Sequence, residues 1–425
     1  MKNKISRKIF ALIMVAALGL IAGGACAAEP DVKPILLGAP LSTGFVDGWD
    51  GAKGIELAIE EINADGGVNV GGEMRPFAVE IMDTRDLEPG VPVSEALLVV
   101  EKLILDKKVD FIIGGPVRSE AALAVMDILS DNKMISIVST GVLTPAFHAR
   151  IAEEYDKYKY SFRITSDIVW LIGETIAILE DIRAEKGFDK VYIMVQDVAH
   201  ARKAGEIVEG GLVAKGWNIV GNDIYPTGTT DYSIGMLKAK DAGAQILFIW
   251  MDMPESAIVL KQWYDLEVPA LPIGFIRAAQ EPGFWDATDG KGQYAVSAFV
   301  NAGNAPSEAS PWTMDFIKAH VKKFGLEPEG YGTSSSYMAV YALKEAIERA
   351  GTLDSDAVVT ALEKTDIMGV YGRIRFNPEN HQIINSNDPA EGAVGLWAQW
   401  QDGERVGIFP PSVAIGTLQY PPWMK

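Results

Sequence analysis

The sequence predicts an α/β protein of two doubly wound lobes joined by a hinge. Three observations predict it. Short apolar runs alternate with helical patterns from residue 33 onward; the rhythm breaks near residues 150–185 and restarts; and late segments are placed to return the chain between lobes. Strand–helix alternation of this kind gives parallel sheets covered by helices on both faces.

In the first block, Ile35-Leu36-Leu37 reads as a buried strand. Ile55, Ala58, Ile59 and Ile62 recur at helical spacing, and Gly66-Gly67 stops that helix. Phe77 to Ile81 alternates as a strand does, Ala96 to Leu105 is helical, and Val109 to Ile113 is a strand. A helix over Glu120 to Leu129 and a strand over Ile135 to Val138 complete the block. The second block repeats the rhythm, with strands at Val191–Val195, Asn218–Ile224, Ile246–Trp250 and Leu271–Ile273. Helices at Glu206–Lys215, Ser233–Ala242 and Ser256–Tyr264 lie between them. The helix Ser336–Ala350 and the stretch Gly372–Phe376 are the expected return segments, and the Pro-rich tail from Phe409 to Trp423 should lie extended over the surface. The expected division is 32–152 with about 278–365 for the first lobe, and 153–277 with about 366–425 for the second.

Residues 1–27 have the form of a secretory signal peptide. Lys2, Lys4, Arg7 and Lys8 precede an apolar run from Ile9 to Ile21, and small residues from Gly23 to Ala27 follow. The run is shorter than the roughly 20 apolar residues a membrane span needs. Cys26 is the only cysteine, so no intramolecular disulfide forms. Lipidation at Cys26 competes with cleavage after Ala27, and Gly23, where a lipoprotein signal usually has leucine, favours cleavage. Export to the periplasm is expected in either case. The formal charge of −19 includes four signal-peptide cations and no signal-peptide acids, so the mature chain is near −23. Such a chain is a poor partner for nucleic acid or anionic lipid.

In open α/β sheets, ligands bind beyond the carboxyl ends of the strands. That rule nominates loops 39–49, 84–86, 115–120, 139–145, 196–202, 250–254 and 274–277, which hold hydroxyls, arginines, a few acids and tryptophans. Such residues suit binding. Catalytic sets are missing. His148, His200, His320 and His381 lack metal-ligand spacing, and neither a nucleophile elbow nor a phosphate loop occurs. Gly290-x-Gly292-x-x-Ala295 imitates a dinucleotide fingerprint but precedes an apolar run instead of joining strand to helix. In Asp83-Thr84-Arg85-Asp86, capping and salt bridges account for the carboxylates. Trp49 and Trp250 fall in nominated loops, as ligand contacts or as core and surface anchors.

Several segments in these loops carry a family likeness: Gly38 to Gly44, Gly54 to Gly67, Gly114-Gly-Pro-Val-Arg-Ser119 and Ser139 to Pro145. Phe162-Arg163 with Asp167, Thr230-Asp231-Tyr232 and Tyr341 to Gly351 continue the series. In this order and spacing the chain resembles the periplasmic leucine/isoleucine/valine-type receptors of ABC transporters over essentially its whole mature length. The resemblance implies the type I periplasmic binding protein fold. It also implies a monomer that is not an enzyme, needs no cofactor or metal, and closes on a small amino acid or related carboxylate for a membrane permease. A ligand-sensing role on the same fold is the alternative. It further implies that Ser119, the backbone of Val142, and Thr144 hold the ligand carboxylate; helix capping is the competing role for Ser119 and Thr144.

The second lobe departs from the family pattern. The acidic residue expected after the strand ending near Ile273 is Ile276, followed by Arg277. The usual tyrosines of two loops appear as His200 and Asp252. Asp252 is either the ammonium partner or a cap for a helix starting at Pro254. Arg118 and Arg277, if both face the cleft, favour a second anionic group, so an amine-free carboxylate, aromatic ones included, competes with an amino acid.

Overall fold

A computed structural model describes residues 32–424, so the signal-peptide reading and Cys26 lie outside the described residues. The first sheet has five parallel strands, in the order Phe77–Asp83, Ile35–Leu41, Phe111–Gly114, Ser136–Val138, Ser161–Arg163. The second has seven. Asn218–Tyr225, Lys190–Gln196, Ile246–Met251, Leu271–Ile276 and Val296–Phe299 run parallel, and the antiparallel pair Leu396–Gln401 and Glu404–Phe409 forms the far edge. The two doubly wound lobes are therefore present. Central strands such as Ile246–Met251 are buried at every residue, because helices cover both faces.

The expected division shifts in three places. Ser161–Arg163, inside the apparent break, is the last strand of the first sheet, so the chain first leaves that lobe at 164–167 and not at 152. Three residues ending in an arginine give no apolar run to detect. The helix Ile168–Lys186 then opens the second lobe. Val296–Phe299 also belongs to the second sheet, so the chain returns at 300–302 instead of about 278. Finally, Gly372–Ile374 forms a hairpin with Ile367–Gly369 whose Val370, Tyr371 and Ile374 pack in the first-lobe core, and the last crossing runs through 384–395. The crossings are tied together: Ala302 N–H donates to Val394 O at 2.9 Å, Val394 N–H to Tyr371 O at 2.9 Å, and Tyr371 Oη to Ile164 O at 2.9 Å.

The helices Val46–Ala64 and Thr333–Ala350 form the main helix contact of the first lobe. Glycine makes that contact possible, because a Cβ at Gly54 would collide with the carbonyl oxygen of Thr333. Backbones this close leave no room for even one methyl group. The tail runs over the second lobe and is anchored by Trp423, which packs against Trp263 and Tyr264 and donates its indole N–H to Val268 O at 3.0 Å. Gly54→Ala should lower unfolding free energy by about 1–3 kcal/mol, the usual cost of overpacking. Urea denaturation of the mature protein checks this, and an unchanged midpoint would mean the two helices separate without cost.

Candidate functional site: the cleft between the lobes

Arg163 organises the first-lobe side. Its guanidinium is completely buried and donates to Val142 O at 2.5 Å, Thr144 O at 2.8 Å and Gln382 Oε1 at 2.5 Å. It also meets His148 Nδ1 at 2.6 Å and lies 3.6 Å from Asp167 Oδ2. One cation thus holds the loop after the fourth strand against the first and third crossings. Burial pulls its pKa down to about 10, which leaves it charged at neutral pH.

Charged groups from both lobes converge across the cleft. Asp47, at the start of the helix Val46–Ala64, faces Arg277, which follows the second-lobe strand Leu271–Ile276; Arg277 Nε lies 3.5 Å from Asp47 Oδ1. Arg277 is 3% exposed, and its Nη1 donates to Gln280 Oε1 and Glu329 O at 3.2 Å each. Close by in the second lobe, His200 Nε2 pairs with Asp252 Oδ2 at 2.6 Å. Several polar atoms here are buried without a hydrogen bond: Asp47 Oδ1, Asp252 Oδ1, His200 Nδ1, and Arg277 Nε and Nη2. A buried polar group left unpaired costs roughly 1–3 kcal/mol. Several of both signs in one place form a surface made to be paired by something else.

The strap 327–331 closes the other wall. Glu329 N–H donates to Asp50 Oδ1 at 3.2 Å, while the second lobe's Arg405 donates to Pro328 O at 3.1 Å and Glu327 Oε2 at 2.5 Å. Burial raises the Asp47 carboxyl above the ordinary range; Arg277 opposes that rise, while Asp252 and Asp50 add to it. Glu329 is pushed up to about 7, first by burial and then by Asp50, against the opposing pull of Lys53.

This arrangement lies between two lobes, and comparison with known proteins shows a family built on that plan. The model of the periplasmic binding protein family matches residues 40–391. The chain belongs to the periplasmic binding protein family. This periplasmic binding protein is 25% identical over 432 residues to Leu/Ile/Val-binding protein homolog 7 of Brucella melitensis, across 96% of this chain and 99% of that one. Among solved structures, a Silicibacter pomeroyi protein assigned to a branched-chain amino acid ABC transporter superposes with a TM-score of 0.80 at 20% identity, over 92% of this chain and all of that one. A Streptococcus pneumoniae branched-chain amino acid transporter substrate binding protein, in complex with isoleucine, gives 0.68 at 20% identity over 88% and 100%. An R. palustris solute binding protein in complex with 4-hydroxybenzoate gives 0.69 at 20% over 88% and 96%. These likenesses place the fold as type I with two lobes.

Within this periplasmic binding protein, the residues singled out from sequence separate into two groups. His200, Asp252 and Arg277 come together in the cleft. The helix after Asp252 begins at Ser256, not at Pro254, and Asp252 spends its carboxylate on His200 instead of capping it. Ser119 is the first residue of its helix, with no capping bond and no hydrogen bond from its hydroxyl among the described residues. Thr144 Oγ1 accepts from Ala146 N–H at 3.3 Å, so its hydroxyl is partly spent on the turn.

The expectations for Val142, Arg118 and Trp250 need correction. Val142 N–H is committed to Val117 O at 2.9 Å and its carbonyl to Arg163, so its backbone is not free for a ligand. Arg118 pairs with its neighbour Glu120 at 3.1 Å at the rim and supplies no second cation to the cluster. Trp250 is fully buried and stacks on Phe275 at 5.2 Å, because the strand Ile246–Met251 runs on past it and is covered on both faces. Trp49 lies half-buried under the Lys53 ammonium, 4.2 Å from the ring centroid. Ile276 is buried in the core, and Arg277 is the residue of that loop that reaches the cleft.

Asp47 and the strap residues Glu329 and Tyr331 were not singled out, although loop 39–49 contains Asp47. An acidic residue at a helix start reads as dipole compensation, and a strap between helices belongs to no strand-end loop. The raised Glu329 carboxyl gives a pH prediction. The native state holds its proton up to about pH 7, whereas the unfolded chain loses it near pH 4.5. Stability therefore falls as pH rises between those values. Glu329→Gln should flatten this fall in a series of melting curves from pH 4.5 to 8; an identical slope in the variant would contradict the assignment.

Proposed function

We propose that this periplasmic binding protein captures a small amino acid between its lobes and delivers it to the membrane permease of an ABC importer. The observation that carries the reading is the set of buried, unpaired polar atoms of both signs, contributed by both lobes. A zwitterion matches it: a carboxylate would accept from Arg277, and an ammonium would donate to Asp252 and Asp47. Charge-assisted hydrogen bonds of this kind are among the strongest available to a protein. The acid missing at Ile276 is thereby replaced, by Asp252 from the second lobe and Asp47 from the first.

Contacts from both lobes also favour a closed form. Ligand docked on one lobe gains the groups of the other only on closure, and that differential affinity shifts the population. In this reading the protein works outside the cytoplasmic membrane, leaves its ligand chemically unchanged, and is recognised by the permease when closed. The amine-free reading keeps one specific support, since two Arg277 N–H groups without partners suit a carboxylate alone.

Thermal-shift screening of protein stripped of ligand by unfolding and refolding tests the ligand class, with amino acids, aliphatic and aromatic carboxylates, amides and polyols as the panel. Ligand at about 100 times its Kd stabilises the native state by about 2.7 kcal/mol, which gives a visible shift. Amino acids should shift the melting point, and scattering should show compaction with the hit. Arg277→Gln should weaken that hit by roughly 10- to 100-fold, as expected for about 1.5–3 kcal/mol lost with a charged hydrogen bond. Asp252→Asn should weaken amine-bearing ligands selectively. Shifts confined to amine-free carboxylates, with Asp252→Asn silent, would transfer the protein to that ligand class.

A further inference from the structure

A guanidinium carries no acceptor and can only donate. The 2.6 Å contact between Arg163 Nη2 and His148 Nδ1 therefore needs a lone pair on that ring nitrogen. The imidazole is neutral, its proton is on Nε2, and Nε2 lies 3.7 Å from Asp167 Oδ2. His148 is the third residue of the helix Ala146–Glu153, directly after the loop that carries Val142 and Thr144. Its side chain is 19% exposed, so solvent protons reach it, whereas that of Arg163 is fully buried.

The loop that Arg163 grips is under strain. Val142 has φ of 53°, a conformation that a β-branched residue adopts only where its surroundings hold it. Its carbonyl is held by Arg163, and the carbonyl of Leu143 accepts from Ile168 N–H at 3.0 Å, at the start of the second-lobe helix. Among the described residues, Arg163 and Asp167 are the charged groups that act on the His148 ring, and Tyr331 is a further titratable group near the guanidinium. Burial, and then the Arg163 charge, hold the His148 pKa below its ordinary 6.5, while Asp167 pulls the other way. A second proton on the ring would set two cations in contact. Asp167, 3.6 Å from Arg163, would be drawn from it toward the imidazolium. Of the two cations, the partly exposed one is free to leave.

We infer that His148 is a positioning residue whose protonation unlocks the loop 142–144 and the first crossing from Arg163. The neutral ring completes the set of acceptors around the guanidinium and keeps the strained loop seated. The imidazolium withdraws an acceptor, competes for Asp167, and moves outward with the helix start that follows Thr144. One proton is taken up from solvent, and no other reactant takes part. The loosened state takes that proton near pH 6.5 and the seated state only below it, so the lock weakens as pH falls past 6.5. This direction is opposite to that of Glu329. The inference rests on the surroundings of Arg163 and holds whatever the cleft binds.

Hydrogen exchange of the ligand-stripped mature protein at pH 7.5 and pH 5, read by mass spectrometry and corrected for the intrinsic rate, tests this. Peptides covering 140–149 and 163–168 should exchange roughly tenfold faster at pH 5, since each pH unit between the two proton affinities is worth about a factor of ten. The buried strand Ile246–Met251 should stay protected at both. His148→Asn places a carbonyl acceptor near the position of Nδ1 but does not titrate, so its loop should remain slow at both pH values. His148→Ala, which has no acceptor, should be fast at both. Nitrogen NMR of the histidine-labelled parent needs no substitution: His148 should show a bare Nδ1 at pH 7.5 and a midpoint below 6.5. A protonated Nδ1 at pH 7.5, parent exchange that ignores pH, or a pH response that persists in His148→Asn would overturn the inference. An equal response in the strand Ile246–Met251 would overturn it too, by showing that the whole fold loosens.

Discussion

The guanidinium of Arg163 is the constraint on which the first-lobe side of the cleft depends. It lies out of solvent, where an uncompensated charge would cost several kcal/mol, and it is kept there by two backbone carbonyls, a glutamine, a histidine and the carboxylate of Asp167. Each partner belongs to a different part of the machine. Val142 and Thr144 are on the loop beneath the ligand cleft, Asp167 caps the helix after the first crossing, and Gln382 precedes the last crossing. A single charge therefore fixes the loop geometry and the hinge together, and neither can shift without leaving buried groups unpaired.

Across the cleft the same physics appears with the opposite outcome. Around Arg163 nearly every polar group is matched, so that region is rigid. Around Arg277 the matching is incomplete: Asp47 lies at 3.5 Å, beyond a good hydrogen bond, and several atoms remain unpaired. Within a low-dielectric setting that mismatch is worth more than any surface ion pair. The contrast between a satisfied hub and an unsatisfied one distinguishes Arg163 from Arg277, although both are buried.

Much of the fold was legible because it rests on burial. Short apolar runs between helical patterns mark strands covered on both faces, and they appear where the pattern puts them, from Ile35 to Ile276. What escaped were elements built by other means. Ser161–Arg163 is a strand whose key residue is a buried cation, and Val296–Phe299 lies in the apolar run after the Gly290 motif, which was not assigned to a strand. The cleft was legible as a set of loops, because strand ends must gather at one edge of a parallel sheet. Its membership was not. Ile276 sits one residue before Arg277, and a strand's alternation turns a one-residue offset into the difference between core and cavity, while Trp250 and Met251 both stay in the core before Asp252. Asp47 lies in a nominated loop but at a helix start, where an acid reads as dipole compensation, and Glu329 comes from a strap that no strand-end rule reaches.

The two unsatisfied regions bear on one another through the hinge. Asp47 and Arg277 meet out of water in the cleft, and Glu174 packs against Gly395 of the last crossing. In each region burial pushes a carboxyl above the ordinary range, Asp47 in the cleft and Glu174 beside the hinge. A fold with rigidly matched charge at Arg163 and unmatched charge on either side of it has its flexibility where ligands can act on it. That division explains why a strongly acidic chain keeps its few buried cations at the pivot, while its unpaired carboxylates lie where binding can compensate them.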